Sequence, residues 1–344
     1  MKIIADNHIA FVQHYFAHAG ELVLKPGRTL TAAEVRDADI LLVRSITRVD
    51  EALLKDSRVK FVGSVTAGAD HLDGAWLDRA GIAWSVAAGF NAPPVADYVM
   101  SVLAALQQEK KLAETGLKIA VVGVGHVGRL VVEYSRALGH TVIKCDPLRA
   151  EQEKDTSFVR LQDIAEVDVV SLHVPLTQEG EHATHHFIAA EFLQRQKPGC
   201  VLINTARGAV LDSQAFKKHG KHLLGCFDVW ENEPNIDKEI LAQATIATPH
   251  IAGYSTQAKL RGIEMIYRRM LEMGIIQPGN VTSLALPQPT WRDMALAIFN
   301  LRYMKQEMQK GLFDTLREEF FTRDEFKGAS KNCHTSESWY PESR

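Results

Sequence analysis

The 344-residue chain carries a net charge of −3, is 46% hydrophobic and 24% charged, and has four scattered cysteines. This composition is typical of a water-soluble globular protein and offers no overall positive charge to attract nucleic acid or an anionic membrane. Because we find no signal peptide, no membrane-length apolar stretch and no CxxC spacing, we expect a cytoplasmic protein with reduced thiols. The length predicts two or three domains.

The first part of the chain alternates short apolar runs with polar breaks and helix-like segments. The runs are "KIIAD", "ADILLVRS", "VKFVGSV" and "IAWSV", and the segments between them include 50–54 and 74–79. Strands that alternate with helices predict a parallel sheet covered on both faces. The stretch "NAPPVADYVMSVLAALQQEKK" then predicts a long helix, because its prolines stand in the first turn and its apolar residues recur at helical spacing. We interpret this helix as the connector into a second domain.

A second series of more apolar runs follows from Gly116. The runs are "LKIAVVG", "HTVIKCD", "VDVVSLHV", "CVLINTA", "LLGCFDVW" and "ATIATPH". Runs that are apolar on both faces are typical of the central strands of a doubly wound parallel sheet. The predicted fold class is therefore α/β, with two doubly wound parallel-sheet domains of the Rossmann or flavodoxin-like type and a small C-terminal helical or α+β appendage.

The C-terminal part of the chain gives a weaker pattern. After a turn-rich linker at 273–289, apolar residues from Trp291 to Met308 fall three or four positions apart and predict one apolar helical face. Spacing alone allows this face to pack on its own domain or to form a dimer interface. The final residues, 327–344, show no periodicity, and we expect them to be disordered.

The string "VVGVGHVGRL" places Gly123, Gly125 and Gly128 between a strand-like run and a helix-like segment. In such a turn the first glycine allows the sharp bend, the second lets a pyrophosphate approach the backbone, and the third lets helix and strand pack closely. The N–H groups at the start of the helix then face the phosphates. Asp146 ends the next strand, where a carboxylate can bind ribose hydroxyls and repel a 2′-phosphate. The pattern therefore favours a NAD site over an NADP site or a purely structural turn.

Three charged residues follow three later strands of the predicted sheet. Arg207 lies in "NTARG", Glu233 in "DVWENEP" and His250 in "TPHIAG". Ligands of open parallel sheets bind beyond the carboxyl ends of the strands, where these residues would meet. A guanidinium can hold a carboxylate, and a histidine oriented by an acid can act as a general acid or base. Each of the three residues alone is also compatible with an ordinary surface or loop position.

The other histidines are scattered along the chain and give no convincing metal site; they are His14, His18, His182, His185 and His186.

These motifs together resemble the D-isomer-specific 2-hydroxyacid dehydrogenases. The resemblance implies that Arg207, Glu233 and His250 carry catalysis and that 93–254 form the NAD-binding domain, with 1–92 plus 255–284 forming the substrate-binding domain. By the same resemblance, the residues assigned to the cofactor are Gly123, Gly125, His126, Val127, Gly128, Asp146, Val174, Ala206, Arg207, Asp228 and Gly253. Val174 stands where the family has threonine, so it offers only its backbone.

Finer strings narrow the resemblance to one branch of that family. "VRSITRVDEALL", "FVGSVTAGADHLD", "GFNAPPVADYV" and "HIAGYSTQAKLRG" are similar to the branch that oxidises a small phosphorylated 2-hydroxy acid of four carbons on the way to pyridoxal phosphate. The likeness assigns Ser45, Thr66 and Tyr254 to the substrate, and implies a homodimer formed through 285–326. Arg44 is a further candidate for the substrate phosphate by its charge alone. The C-terminal region is shorter than in relatives, and its last 18 residues match nothing in them.

Two alternatives stay open at the level of the sequence. One is a sister dehydrogenase acting on another 2-hydroxy acid, of the phosphoglycerate or glyoxylate type, since the catalytic trio is shared across the family. The other is a binding protein of the same fold that senses NAD for a partner. The complete trio argues against the second alternative.

Overall fold

The structure is a computed structural model that describes residues 1–282, 284, 304–305, 308–309, 311, 313–314 and 317. The chain forms two compact units: Met1–Ala92 together with the segment that begins at Tyr254, and Pro93–Gly253. We call them unit 1 and unit 2. The predicted dimerisation segment at 285–326 and the tail at 327–344 lie almost entirely outside the described residues.

Unit 1 begins with five strands that alternate with short helices. In chain order the elements are β1 (Lys2–Asp6), α1 (Val12–Phe16), β2 (Glu21–Lys25), α2 (Ala32–Val35), β3 (Ile40–Val43), α3 (Glu51–Leu54), β4 (Phe61–Ser64), α4 (Gly74–Arg79) and β5 (Ala83–Val86). All pairings are parallel, in the order β2-β1-β3-β4-β5. The sequence predicted four of these strands but missed β2, which is an edge strand without a fully buried residue.

Helix α5 (Ala92–Gln108) forms as predicted, with Pro93 and Pro94 in its first turn, and its first residue, Ala92, is the last residue of the first segment of unit 1. Its apolar face carries Val95, Val99, Val102 and Leu106, which are buried in a core cluster of unit 2. The prolines are tolerated because the first N–H groups of a helix have no partner within it.

Unit 2 contains the six strands that the apolar runs predicted. Its elements are β6 (Lys118–Val122), α6 (His126–Ala137), β7 (Thr141–Cys145), α7 (Pro147–Glu153), β8 (Val169–Leu172), α8 (Ala190–Gln194), β9 (Val201–Asn204), α9 (Ser213–His219), β10 (Leu224–Phe227), α10 (Lys238–Gln243) and β11 (Ile246–Ala247). The sheet is parallel throughout, in the order β11-β10-β9-β8-β6-β7. The chain therefore reverses its direction of winding between β6 and β8, which is the position where open sheets bind ligands.

Each sheet is covered on both faces, as the uninterrupted apolar runs predicted. On β6, Ala120 and Val122 pack into one core cluster, while Ile119 and Val121 pack into another. On β1, Ile3 and Ala5 likewise belong to a different cluster from Ile4. Alternate side chains of a strand point to opposite faces, so both faces exclude water. The predicted doubly wound α/β class is confirmed.

The last long helix, α11 (Thr256–Glu272), returns to unit 1 and lies very close to its sheet. A Cβ atom on Gly63 of β4 would stand 2.7 Å from Ile266 of this helix, and one on Gly262 would stand 2.8 Å from Val65. Neither position leaves room for a side chain. The first half of α11 is thereby held against the carboxyl end of β4.

A few residues beyond α11 are described. Met308 and Phe313 are buried in a core cluster of unit 2, and Met304 is also buried. Met304 and Met308 belong to the apolar face that the sequence predicted, so part of that face packs on its own unit. Among the described residues no helix is both long and apolar enough to cross a membrane.

Candidate active site

The glycine-rich turn directly follows β6, at the point where the sheet reverses its winding. Gly123 has a φ of 85°, and a Cβ there would lie 2.7 Å from the carbonyl carbon of His173, which follows β8. A Cβ on Gly128 would lie 2.0 Å from the Gly123 oxygen. These two glycines are therefore required for the bend and for the close packing of α6.

Gly125 differs from both of its neighbours in the motif. An added Cβ would meet no atom within 4 Å, and the residue is exposed as the N-cap of α6. No neighbouring atom excludes a side chain here, but the backbone, at φ −78° and ψ −147°, lies outside the regions that other residues favour. A residue without a side chain also lets a ligand approach the backbone closely. The N–H groups of His126, Val127 and Gly128 stand in the first turn of α6, where helices hold phosphate. The turn therefore fits the pyrophosphate of a dinucleotide.

Asp146 caps α7 immediately after β7. Its Oδ1 accepts a hydrogen bond from Arg149 N at 3.1 Å, and its Oδ2 accepts one from Val124 N at 2.8 Å. A carboxylate can accept about four hydrogen bonds, so two of its acceptor positions remain for ribose hydroxyls. The Arg149 guanidinium donates to the Val124 carbonyl oxygen and pairs with Glu153. The ribose contact of Asp146 stays a prediction, and Arg149 beside it was not predicted from the sequence.

The acid and the histidine of the predicted trio are in direct contact. His250 Nδ1 lies 2.8 Å from Glu233 Oε2, and Glu233 Oε1 accepts a hydrogen bond from Trp230 N at 2.8 Å. Burial of Glu233 favours its neutral form. The opposing effects are larger and lower the pKa of Glu233: the hydrogen bond to His250, the charge of His250 and the hydrogen bond from Trp230 N. An ionised Glu233 accepts the proton on Nδ1, which leaves Nε2 of a neutral His250 as the basic atom.

Asp228 fixes the turn that carries His250, a residue with a φ of 58°. The backbone oxygen of Asp228 accepts from His250 N at 2.8 Å, and its carboxylate accepts from Ile251 N at 2.8 Å and Ala252 N at 2.9 Å. Burial raises the pKa of Asp228, although these hydrogen bonds and the charge of His250 oppose the shift. Asp228 thus holds three successive residues in one conformation, His250 through its backbone oxygen and Ile251 and Ala252 through its carboxylate.

A buried chain of hydroxyl groups leads to Asp228 from helix α5. Tyr98 Oη lies 2.7 Å from Thr248 Oγ1, which donates to Asp228 Oδ1 at 2.6 Å. The Thr248 carbonyl oxygen also accepts from Trp230 Nε1 at 2.9 Å. Tyr98 and Thr248 were not predicted from the sequence, because their apolar neighbours along the chain gave no signal of a polar role.

The loop with Arg207 packs directly on the loop with Glu233. A Cβ on Gly208 would lie 1.9 Å from the carbonyl carbon of Trp230, so only glycine allows this contact. Arg207 Nη1 donates to the Ala206 carbonyl oxygen at 2.8 Å. Ala206 and Arg207 follow β9, whose neighbours β8 and β10 lead to Val174 and Asp228. Packing at this edge brings the Arg207 loop and the Glu233–His250 pair together.

The three residues assigned to substrate belong to unit 1. Ser45 is exposed just after β3. The Thr66 hydroxyl donates to the Gly68 carbonyl oxygen at 2.8 Å and lies 2.8 Å from Ser64 Oγ. Tyr254 lies beneath the Lys259 ammonium, with 5.8 Å between Nζ and the ring centroid. Gly253 is the last residue of unit 2 before Tyr254.

Two further histidine contacts lie outside the predicted trio. His186 Nε2 lies 2.8 Å from Glu231 Oε1, and His71 Nε2 lies 2.7 Å from Ser64 Oγ. In the part of the chain that the structure describes, no three His, Cys, Asp or Glu side chains are placed to hold a metal ion.

The known proteins that this chain resembles in sequence belong to one family of enzymes. The family described as "D-isomer specific 2-hydroxyacid dehydrogenase, NAD binding domain" matches residues 100–252. The erythronate-4-phosphate dehydrogenase of Coxiella burnetii is 42% identical over 344 aligned positions, which cover 95% of this chain and 93% of that protein. The enzyme of the same name from Pseudomonas paraeruginosa is 46% identical over 272 positions, covering 78% of this chain and 72% of that protein.

Solved structures share the fold at lower identity. A D-lactate dehydrogenase from Aquifex aeolicus, complexed with NAD and lactic acid, superposes with a TM-score of 0.66 at 24% identity, over 80% of this chain and 96% of that one. An NAD⁺-bound 3-phosphoglycerate dehydrogenase from Entamoeba histolytica gives a TM-score of 0.68 at 22% identity, over 80% and 95%. The family match makes residues 100–252 a NAD-binding domain. The chain belongs to the D-isomer-specific 2-hydroxyacid dehydrogenase family, in the branch of the erythronate-4-phosphate dehydrogenases.

Proposed function

We propose that this protein oxidises the C2 hydroxyl of 4-phospho-D-erythronate with NAD, forming 2-oxo-3-hydroxy-4-phosphobutanoate in the synthesis of pyridoxal 5′-phosphate. The observation that carries the proposal is the 2.8 Å contact between His250 and an ionised Glu233 beside the Arg207 loop. The names of the relatives that align with almost the whole chain support the substrate.

His250 acts as the general base. With the proton on Nδ1 donated to Glu233, the Nε2 lone pair accepts the proton of the C2 hydroxyl. Glu233 then stabilises the imidazolium that forms, because it remains a carboxylate at the 2.8 Å contact. NAD, when bound, supplies the acceptor for the hydride that leaves C2.

Arg207 binds the substrate carboxylate and the oxygen on C2. A guanidinium can grip both oxygens in a fork, which fixes the C2–H bond relative to the base. Positioning of this kind contributes several kcal/mol to catalysis, on the order of 7 in favourable cases. Ser45, Thr66 and Tyr254 contact the rest of the substrate, and Arg44 contributes a cation to its phosphate.

The cofactor is held by residues of unit 2. Gly123, Gly125 and Gly128 with the N–H groups of His126 and Val127 take the pyrophosphate. The other side chains and backbone groups assigned to NAD are those of Asp146, Val174, Ala206, Arg207, Asp228 and Gly253. Because the Asp228 carboxylate already holds Ile251 and Ala252, its contact with NAD uses a remaining acceptor position.

The decisive experiment measures NAD reduction with a panel of 2-hydroxy acids, with and without a 4-phosphate. We expect turnover of 4-phospho-D-erythronate well above that of 3-phosphoglycerate, glycolate and lactate. Turnover of a different acid alone would contradict the proposed substrate. No NAD reduction with any acid, despite NAD binding, would contradict the proposal that the protein is an enzyme.

His250→Ala tests the base. It should abolish turnover and leave NAD affinity nearly unchanged, whereas His185→Ala, at an exposed position of the same unit, should retain both. Loss of NAD binding in His250→Ala would contradict the role given to this residue.

We also place the protein in the cytoplasm as a homodimer. Cys145, Cys200 and Cys226 are free and buried, and burial raises the pKa of each thiol to about 12, which suits a reducing compartment. The dimer rests on the resemblance of 285–326 to a dimerisation segment. Light scattering of the full chain, which should give twice the monomer mass, tests the dimer.

A further inference from the structure

The carboxyl edge of the unit 1 sheet carries a fixed arginine at its switch point. The chain leaves β1 for β2 on one side and returns to β3 on the other, so ligands are expected between the ends of β1 and β3. Asp6 ends β1 and Arg44 follows β3, and Arg44 Nε lies 3.1 Å from Asp6 Oδ2. The Asp6 side chain is 1% exposed and that of Arg44 is 30% exposed. The Arg44 guanidinium is therefore paired with a buried carboxylate on one side and remains accessible to solvent on the other.

The ion pair with Asp6 does not occupy all the N–H groups of Arg44. A guanidinium has five N–H donors, and an ion pair through Nε leaves donors for a second anion. Gly27 and Thr47 complete the floor of this position, since a Cβ on Gly27 would lie 2.2 Å from Asp6 Oδ2 and 2.6 Å from Thr47 Oγ1. A side chain at residue 27 would displace the carboxylate that holds Arg44.

Helix α11 brings a second cation to the same edge. Lys259 stands one turn before Gly262, which contacts Val65 beyond the end of β4, and Val65 N donates to the Val43 carbonyl oxygen beside Arg44. Burial and the repulsion of the Arg44 guanidinium lower the pKa of Lys259. An anion of two charges bound at this edge would offset the repulsion between the two cations.

We propose that Arg44 and Lys259 together bind the phosphate of the substrate, and that Lys259 makes this branch of the family selective for a phosphorylated acid. The inference rests on the proposed function, because the phosphate is that of 4-phospho-D-erythronate. The Lys259 ammonium lies over the ring of Tyr254, which is itself assigned to the substrate.

The first test compares kinetics on 4-phospho-D-erythronate and on D-erythronate, which lacks the phosphate. Lys259→Met should lower kcat/KM for the phosphorylated acid by about 10- to 100-fold, the usual loss for a hydrogen bond between charged groups. The kcat/KM for D-erythronate should change less than about twofold, and Lys259→Arg should restore much of the loss. Arg268→Met, on an exposed turn of the same helix, should change neither constant.

Equal losses on both acids, or no loss on either, would overturn the inference while leaving the proposed function intact. A second test does not depend on turnover. Wild-type protein is acetylated with a lysine reagent, and the labelling of Lys259 is followed by mass spectrometry. 4-Phospho-D-erythronate should protect Lys259 several-fold and D-erythronate should not, with Lys238 labelled equally throughout. Failure of the phosphate ester to protect Lys259 overturns the inference, whether or not the ester is turned over.

Discussion

Glu233 divides its two carboxylate oxygens between the ring of His250 and the backbone N–H group of Trp230. Oε2 lies 2.8 Å from Nδ1 of His250, and Oε1 accepts the backbone N–H of Trp230 at 2.8 Å. The second contact fixes the carboxylate plane, so the orientation of the imidazole is set before any ligand binds. A group arranged in advance in this way loses little free energy when the transition state forms.

Glu233→Gln should separate orientation from charge. The amide keeps the shape of the side chain, but it cannot stabilise an imidazolium as a carboxylate does, so kcat should fall by about 10²- to 10⁴-fold. NAD affinity, measured by fluorescence titration, should stay within about twofold of wild type. A variant that keeps wild-type kcat would show that Glu233 has no part in proton transfer.

The sequence predicted this pair because of a general property of parallel sheets. Glu233 and His250 follow neighbouring strands, β10 and β11, and the carboxyl ends of parallel strands share one edge. The 3.6-residue and uninterrupted apolar patterns likewise predicted α5 and all six strands of unit 2. Apolar patterns of this kind are local in the sequence, so they can be recognised without any knowledge of tertiary packing.

Features that depend on distant contacts were beyond the reach of the sequence. Tyr98 and Thr248 are 150 positions apart, and a tyrosine among the apolar residues of α5 looks like any core residue. Strand β2 was missed because an edge strand with half-exposed residues lacks the apolar run of a central strand. The close packing of α11 on the sheet of unit 1, which two glycines permit, likewise left no signal in the sequence.

Removing the two hydroxyl groups of the chain from Tyr98 to Asp228 should lower the stability of the protein by different amounts. Thr248→Val removes the hydroxyl that donates to Asp228 at 2.6 Å and should lower the free energy of unfolding by about 1–3 kcal/mol, since it deprives a buried carboxylate of a partner. Tyr98→Phe leaves that bond in place and should cost about 1 kcal/mol. Chemical denaturation measures both values.

The same two variants should differ in catalysis. Asp228 holds Ile251 and Ala252 beside His250, so Thr248→Val should lower kcat more than it changes the KM for NAD. An equal stability loss for the two variants, with identical kcat, would argue that the chain only fills the core.

Gly125→Ala and Gly128→Ala should fail in different ways. A Cβ on Gly125 meets nothing within 4 Å, although the backbone there, at φ −78° and ψ −147°, lies outside the regions that alanine favours, so the variant should fold with a smaller loss of stability than Gly128→Ala. The methyl group would occupy the approach of the pyrophosphate, so NAD affinity should fall by at least about tenfold. Calorimetric titration with NAD and a thermal melt of the free protein measure the two quantities.

Gly128→Ala places its Cβ 2.0 Å from the Gly123 oxygen and should lower the melting temperature even without cofactor. Normal NAD affinity in Gly125→Ala would contradict the assignment of the NAD pyrophosphate to this turn. A shared loss of stability in both variants would mean that the turn is too strained to report on the ligand.

His173 should make the stability of the fold sensitive to mild acid. The ring lies 2.8 Å from Ser171 Oγ and 3.3 Å from Thr205 Oγ1, and burial lowers the pKa of His173 to about 3. Below the ordinary pKa of 6.5 the unfolded chain takes up a proton here, whereas the folded chain does not until about pH 3. The unfolded state binds more protons between these values, so the free energy of unfolding falls as the pH falls.

Between pH 6.5 and pH 5.5 this residue should remove up to about 1 kcal/mol of stability, since one proton contributes at most about 1.4 kcal/mol per pH unit. His173→Gln keeps groups that can bond both hydroxyls but does not titrate, so its stability should be flatter over that range. Urea titrations of both proteins at a series of pH values give the difference directly. Parallel curves would show that the imidazole is protonated in the folded chain as readily as in the unfolded one, and the glycine turn that contacts His173 would then lie beside a charge.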